Sequence, residues 1–198
     1  MSRAGVLRAG VVVPIRSFAG AKLRLADHLS DEHRADLLRD SATRVVAAAA
    51  PLTVVVVTAA PEVRSWAEAL GLDVVDDPGG GLDAAADAGQ ARVRSLGLVR
   101  AVIAHADLPR AESLLPLARD DDREIVALVP CHRDDGTNVC SVPAATPFRF
   151  AYGPGSFRRH VAEAQRAGAA VRVVRRADLA FDVDVPSDLA DLDPALHP

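Results

Sequence analysis

The sequence predicts one α/β domain, built as a three-layer αβα sandwich around a mostly parallel, Rossmann-like sheet. Three observations carry that expectation. Short valine-rich runs recur along the chain, segments of helical pattern fall between them, and the runs are apolar throughout rather than alternating. Strands buried on both faces read this way, because helices cover each side of the sheet. At 198 residues and 49% hydrophobic content the chain suits a single core, and 1–198 is taken as one domain.

The elements follow in order. The run VLRAGVVVPI (6–15) is the first strand. It stops at Pro14 and enters a loop of small residues, Ser17, Ala19, Gly20 and Ala21, that also holds Arg16, Lys22 and Arg24. Ser30 is suited to cap a helix with Asp31 and Glu32 in its opening turn, running to the alanines before Pro51. LTVVVVT (52–58) is the second strand. PEVRSWAEALG (61–71) opens on Pro61 and stops at Gly71, as helices do. LDVVDD (72–77) is the third strand and LDAAADAGQARVRSLG (82–97) the third helix. RAVIAHAD (100–107) is a strand, RAESLLPLARD (110–120) a fourth helix, and EIVALVP (124–130) a strand. The segment 131–156 is broken by Pro143, Pro147 and Pro154 and reads as an irregular subregion over the sheet's carboxyl edge, where open α/β sheets bind ligands. SFRRHVAEAQRAG (156–168) is the fifth helix and VRVVRR (171–176) the sixth strand.

Composition excludes several functions. The net charge of −4 argues against a general nucleic-acid binder, whose phosphate contacts need a basic field. No apolar stretch reaches membrane-spanning length and no signal-peptide pattern opens the chain, so a cytoplasmic protein is expected. Cys131 and Cys140 read as two ordinary small hydrophobes in a reducing compartment. No CxxC or HxxxH spacing builds a zinc site from them with His105 and His132.

Chemistry concentrates in a few places, each with a plainer alternative. The loop after the first strand allows close backbone approach and gathers three cations, which suits an oligophosphate; alone, it is equally a solvated basic turn. Lys22 is the only lysine among 23 basic residues. The loop is neither a Walker A loop nor a dinucleotide fingerprint. Asp107 falls at the end of a buried strand, where a carboxylate can hold a divalent ion or cap a following helix. Asp182 and Asp184 are two apart, so on an extended strand they face the same way and repel unless a cation lies between them; the alternative is a solvent-facing strand with an Asx turn before Pro186. Three carboxylates without soft ligands suit Mg²⁺. DDPGGGLDAAADAG offers Gly81 and Asp83 to a nucleotide base or sugar, or is a flexible turn. DDGTNV and YGPGSFRRH offer backbone N–H groups, the Thr137 and Ser156 hydroxyls and a helix N-terminus at about Ser156 as a second anion site, or are ordinary turns. DDDRE (120–124) reads as a solvated charge run.

Taken in order, VPIRSFAGAKLRL, ADLP, DGTNV, YGPGSFRRH and DVDVPSDL resemble the phospholactate and phosphoenolpyruvate guanylyltransferases of deazaflavin coenzyme F-420 biosynthesis, over about residues 11–190. That family is a compact branch of the glycosyltransferase-A-like nucleotidyltransferases, so the resemblance implies a nucleotide-diphospho-sugar transferase type of fold. It implies transfer of GMP from GTP to phosphoenolpyruvate or 2-phospho-L-lactate, with release of pyrophosphate. It places Arg16, Lys22, Gly81 and Asp83 on the nucleotide, with Lys22, Arg24 and Asp107 in catalysis. Asp107, Asp182 and Asp184 fall on Mg²⁺, and Thr137, Gly153 and Ser156 on the phosphorylated acid. The partners implied are GTP and that acid, with no nucleic acid and no membrane; a homodimer is left open. This chain departs from the family pattern at Arg16 (usually lysine), Leu23 (commonly threonine), Asp83 (usually asparagine) and Gly155 (commonly aspartate). Two rivals remain at this stage. A molybdopterin guanylyltransferase or other sugar-nucleotide-type transferase normally carries a GxGxR loop, which is missing. A non-catalytic nucleotide-binding module would have no need of Lys22, Asp107 and Asp182 together.

Overall fold

The computed structural model describes residues 8–119 and 124–192. One seven-stranded sheet organises them, in the order β3-β2-β1-β4-β6-β5-β7. The strands are β1 (Ala9–Pro14), β2 (Thr53–Thr58), β3 (Asp73–Asp76), β4 (Arg100–Ala104), β5 (Ile125–Pro130), β6 (Thr137–Pro143) and β7 (Ala170–Val173). Every pairing is parallel except the two made by β6, which runs antiparallel to both β4 and β5.

The valine runs are buried on both faces, as the absence of alternation predicts. Val11 and Val13 of β1 face one core with Val54, Val56 and Val102. The helices α1 (Asp31–Ala49) and α2 (Pro61–Ala69) cover that side through Val45, Ala49, Val63 and Ala67. Val12 turns to the opposite core with Val55, Ile103 and Leu128, under α3 (Leu82–Ser95) and α4 (Ser156–Arg166). Ser30 caps α1, accepting a hydrogen bond from the His33 amide at 3.3 Å. Arg100, at the amino end of β4, is 2% exposed and donates to the Arg119 and Ile125 carbonyls and to Ser141 Oγ. None of the described helices is long and apolar enough to cross a membrane.

Three sequence expectations change. The segment 131–156 is not wholly irregular: TNVCSVP forms β6, the second strand of a hairpin with β5, and Pro143 ends that strand instead of breaking it. The expected helix at 110–120 is, within the described residues, only a 3-10 turn at Leu115–Leu117. Pro116 removes a donor there, and the Leu114 amide bonds the Ala48 carbonyl of α1, so tertiary contact replaces the helical ladder. FDVDVP joins no strand. It runs between two short helices that the sequence did not predict, α5 (Ala177–Ala180) and α6 (Pro186–Leu192). Residues 120–123 of the charge run DDDRE lie outside the described residues, as do both ends of the chain.

Helix α3 lies very close to β1. A Cβ on Gly89 would stand 2.1 Å from Val12 Cγ1, and Val12 is fully buried with nowhere to move. Gly89→Ala is therefore expected to lower unfolding stability by about 1–3 kcal/mol despite alanine's better helix propensity. Urea denaturation checks this, and a gain in stability would mean that the helix can lift off the strand freely.

Candidate functional site

The carboxyl edge of the sheet opens into a cleft of about 1030 Å³, enough for more than one small ligand. It is lined by the loop after β1, by the segment after β4, by the β5–β6 connection and the start of β6, by the start of α4, and by Asp182 and Asp184. The reversal of β6 matters here. Because it runs opposite to β4 and β5, its first residues, Thr137 and Asn138, lie at the same edge as the ends of its neighbours.

The basic loop is held from below. Arg34, only 3% exposed, donates to the Ala21 carbonyl at 3.1 Å and to the Leu29 carbonyl at 2.6 Å. Ser17 bonds Glu62 of α2 at 2.6 Å. Lys22 then adopts a left-handed backbone conformation, φ 53°, uncommon outside glycine. This turn sends its side chain inward, where it is 8% exposed and Nζ meets Asp107 Oδ2 and Asp184 Oδ1, the latter at 3.0 Å. Lys22 is therefore not a solvated turn residue. Burial pulls its pKa down, but Asp107 and Asp184 outweigh burial and hold it above its ordinary value. Arg16 and Arg24 line the cleft and stay exposed.

Asp182 and Asp184 face the same cleft as expected, though without a strand to carry them. Phe181 and Val183 bury into a small cluster with Leu25 and Leu189, and the alternating Asp182 and Asp184 turn toward the cleft, Asp182 largely buried there. Asp182 Oδ1 lies 3.2 Å from His132 Nδ1 and accepts from Asn138 Nδ2 at 3.4 Å. Burial, together with the charges of Asp107 and Asp184, raises the Asp182 pKa. For Asp107 burial also pushes upward, but Lys22 and His105 overcome it and the group stays below its usual range. Its Oδ1 is buried and has no hydrogen-bond partner among the described residues. Asp107 and Asp184 converge on Lys22 Nζ, and among the described residues no three carboxylate, imidazole or thiol groups form a ready metal cluster.

On the opposite wall, Thr137 and Ser156 are joined: the Thr137 amide donates to Ser156 Oγ at 3.0 Å. His160, fully buried, bonds Thr137 Oγ1 through Nδ1 and the Ala151 amide through Nε2, both at 3.0 Å. Arg159 gathers the carbonyls of Ala151, Tyr152, Gly153 and Pro154 and so fixes the loop before α4. Gly153 lines the cleft. Gly81 and Asp83 do not: Asp83 accepts the Tyr152 amide at 2.6 Å, which ties the start of α3 to that loop, and only Leu82 between them reaches the cleft. The two cysteines are buried free thiols, and Cys131 Sγ accepts the Gly136 amide.

Residues 9–197 match the family described as "Guanylyl transferase CofC like". The chain belongs to that family. A phosphoenolpyruvate guanylyltransferase of Rubrobacter xylanophilus is 38% identical, over 92% of each chain. A 3-phospho-D-glycerate guanylyltransferase of Phenylobacterium zucineum is 32% identical, over 93% of this chain and 89% of that one. A 2-phospho-L-lactate guanylyltransferase of Methanocaldococcus infernus is 25% identical, over 91% and 82%. In fold, the chain is similar to a nucleotide-diphospho-sugar transferase structure from Desulfovibrio desulfuricans, with a TM-score of 0.76 at 16% identity over 93% of this chain and 86% of that one. The nucleotide-diphospho-sugar transferase type of sheet is thus the fold of this CofC-like chain.

Sequence reasoning missed several residues that position the site of this guanylyl transferase. Asp188 is 1% exposed; its Oδ2 accepts the Asp184 and Val185 amides at 2.8 and 3.0 Å, and its Oδ1 meets Arg133. Burial would raise its pKa, but these amides and Arg133 hold it below the usual carboxylate range. This contact takes the place of the Asx turn, the plainer alternative for this segment. The sign was present: Pro186 at the first helical position and an acid two residues on is half of a capping box. His132, Asn138 and His160 gave no comparable sign, because their partners are distant in sequence; the partners of Arg34 are nearby, but two of them are backbone carbonyls, which carry no residue-type signal.

His160 sets a pH dependence. Burial, then the charges of Arg159 and His105, lower its pKa from 6.5 to about 4. The unfolded chain protonates first, so this contribution is intact above pH 6.5 and is lost as pH falls toward 4. Between pH 7 and pH 5 the unfolding free energy is expected to drop by about 2 kcal/mol from this group. Denaturant titrations across that range check it, with His160→Asn showing a flatter profile.

Proposed function

We propose that the protein transfers GMP from GTP to the phosphate of a small phosphorylated carboxylic acid and releases pyrophosphate, as a step in deazaflavin coenzyme F-420 biosynthesis. Phosphoenolpyruvate is the first acceptor to test, following the 38% identical relative. One observation carries the reading: a single cleft holds a cationic loop, three carboxylates and a separate wall of hydroxyls. GTP takes the side of Arg16, Lys22 and Arg24. The acid takes the side of Thr137, Gly153 and Ser156.

In this reaction an oxygen of the acceptor's phosphate attacks the α-phosphorus of GTP. The new P–O bond forms as the bond to the bridging oxygen breaks, and pyrophosphate leaves with that electron pair. A phosphate monoester with a second pKa of about 6 is largely dianionic at neutral pH, so no general base is required. The protein's task is to bring two anions into line and to offset charge on the leaving group. Arg16 and Arg24 are exposed cations at the mouth of the cleft, suited to the outer phosphates. Lys22 acts deeper, where it also keeps Asp107 and Asp184 together.

The donor chemistry suits Mg²⁺. Among the described residues the three carboxylates do not form a ready cluster and Lys22 holds two of them, so Lys22 would have to give way for an ion to bind. Asp107, Asp182 and Asp184 supply hard oxygens, Asp107 Oδ1 lacks a partner among the described residues, and the Asp182 pKa is raised by burial and then by the two other carboxylates. These three residues would hold the ion. Bound there, it would draw charge from the α-phosphate and from the departing pyrophosphate. Cytoplasmic location follows from the nature of the two substrates.

Pyrophosphate release is measured from GTP and Mg²⁺ with phosphoenolpyruvate, 2-phospho-L-lactate or 3-phospho-D-glycerate in turn. Acid-dependent release, greatest with phosphoenolpyruvate, is the expected result; no release with any acid overturns the assignment. Lys22→Ala is expected to slow transfer by about a hundredfold or more, the scale for losing one preorganised charge. Lys22→Arg should recover only part, since a planar guanidinium replaces a compact ammonium between two carboxylates. A Lys22→Ala rate within about twofold of wild type, at saturating substrates, would confine Lys22 to a structural role.

A further inference from the structure

We propose that His160 is a positioning residue that fixes the Thr137 hydroxyl as a hydrogen-bond donor to the anionic acceptor. The proposal rests on the reading of Thr137 and Ser156 as the acceptor wall. The argument begins with the Ala151 amide, which can only donate. It points at His160 Nε2 at 3.0 Å, so Nε2 must present a lone pair. Burial and neighbouring positive charge keep the ring neutral at physiological pH. The single ring proton is then on Nδ1, which lies 3.0 Å from Thr137 Oγ1 and donates to it.

The consequence falls on Thr137. Its oxygen already accepts from His160, and no acceptor among the described residues takes its own proton. That proton is left for a ligand packed directly on the cleft wall that Thr137 lines, since Thr137 is 0% and Ser156 1% exposed and neither is open to solvent. Ser156 follows the same logic: Oγ accepts the Thr137 amide, and its proton is left to donate. Two adjacent hydroxyls are thus set as donors, one by an imidazole and one by an amide. Phosphate and carboxylate oxygens are acceptors and suit this wall. The imidazole also links Thr137 to the loop at Ala151–Pro154, whose carbonyls Arg159 has gathered.

The alternative is that His160 only fills the aromatic cluster it shares with Phe148, Phe150 and Tyr152. Steady-state kinetics on His160→Leu, His160→Asn, Thr137→Val and the double variant His160→Leu/Thr137→Val separate the two. Asparagine keeps an N–H near the place of Nδ1, whereas leucine keeps none. His160→Leu is expected to raise KM for phosphoenolpyruvate about tenfold or more, with KM for GTP within about twofold of wild type. His160→Asn should recover most of that loss, and the double variant should be no worse than Thr137→Val alone. An unchanged KM for the acid, an equal rise in both constants, or additive losses would overturn the proposal. Should His160→Leu fail to fold, the wild-type protein decides: ¹H–¹⁵N correlation spectra must find the His160 proton on Nδ1, and a proton on Nε2 refutes it. Wild-type turnover is measured first. Its absence removes the acceptor reading and this proposal together, whereas normal turnover with an indifferent His160 removes only the proposal.

Discussion

The cleft depends on one electrostatic constraint. Asp107, Asp182 and Asp184 are gathered at the edge of a sheet whose strands are valine on both faces. Carboxylates placed together against such a core repel one another and lose hydration, so something must compensate them. Lys22 does so for two of the three. Its unusual backbone conformation turns an exposed loop inward at the residue that carries the charge. Asp182 has only Asn138 and His132, and burial with the charges of Asp107 and Asp184 raises its pKa despite them. The acidic floor is therefore neutralised only in part by the chain itself.

The second determinant is the direction of one strand. Had β6 run parallel to its neighbours, Thr137 and Asn138 would lie at the far edge of the sheet. The β5–β6 hairpin brings them back, so that the carboxylates and the hydroxyl wall share one opening. Asn138 then spans both: its backbone carbonyl accepts the His105 amide, and its side chain donates to Asp182 and to the end of α5. A single turn of the chain thus joins the two halves of the site.

Loops that bind ligands need restraint, because they lack a ladder of their own. Here the restraint is polar and comes from outside each loop. Arg34 holds the basic loop, Asp188 the segment bearing Asp184, and Arg159 with Asp83 the turn before α4. Asp83 is instructive, since the glycine-rich stretch around it invites a nucleotide. Its carboxylate is instead taken by the Tyr152 amide, so it fixes the loop before α4.

The sequence by itself determined the layered fold, four of the five longer helices it proposed, and the family. Hydrophobic periodicity and helix caps are local, and Val11–Val13, Ser30 and Pro61 declare them within a few residues. It also singled out Lys22, Asp107, Asp182, Thr137 and Ser156, because unusual residue types stood at strand ends and helix starts. What only the tertiary structure decided was pairing. β6 was hidden because prolines around a short strand read as breakers, and the 110–120 helix was lost because a contact from Leu114 to Ala48 outweighed local propensity. Lys22 with Asp184 is a contact across 162 positions, and Thr137 with His160 one across 23. The direction of a proton between two side chains is set by which groups surround them, and no spacing along the chain encodes that.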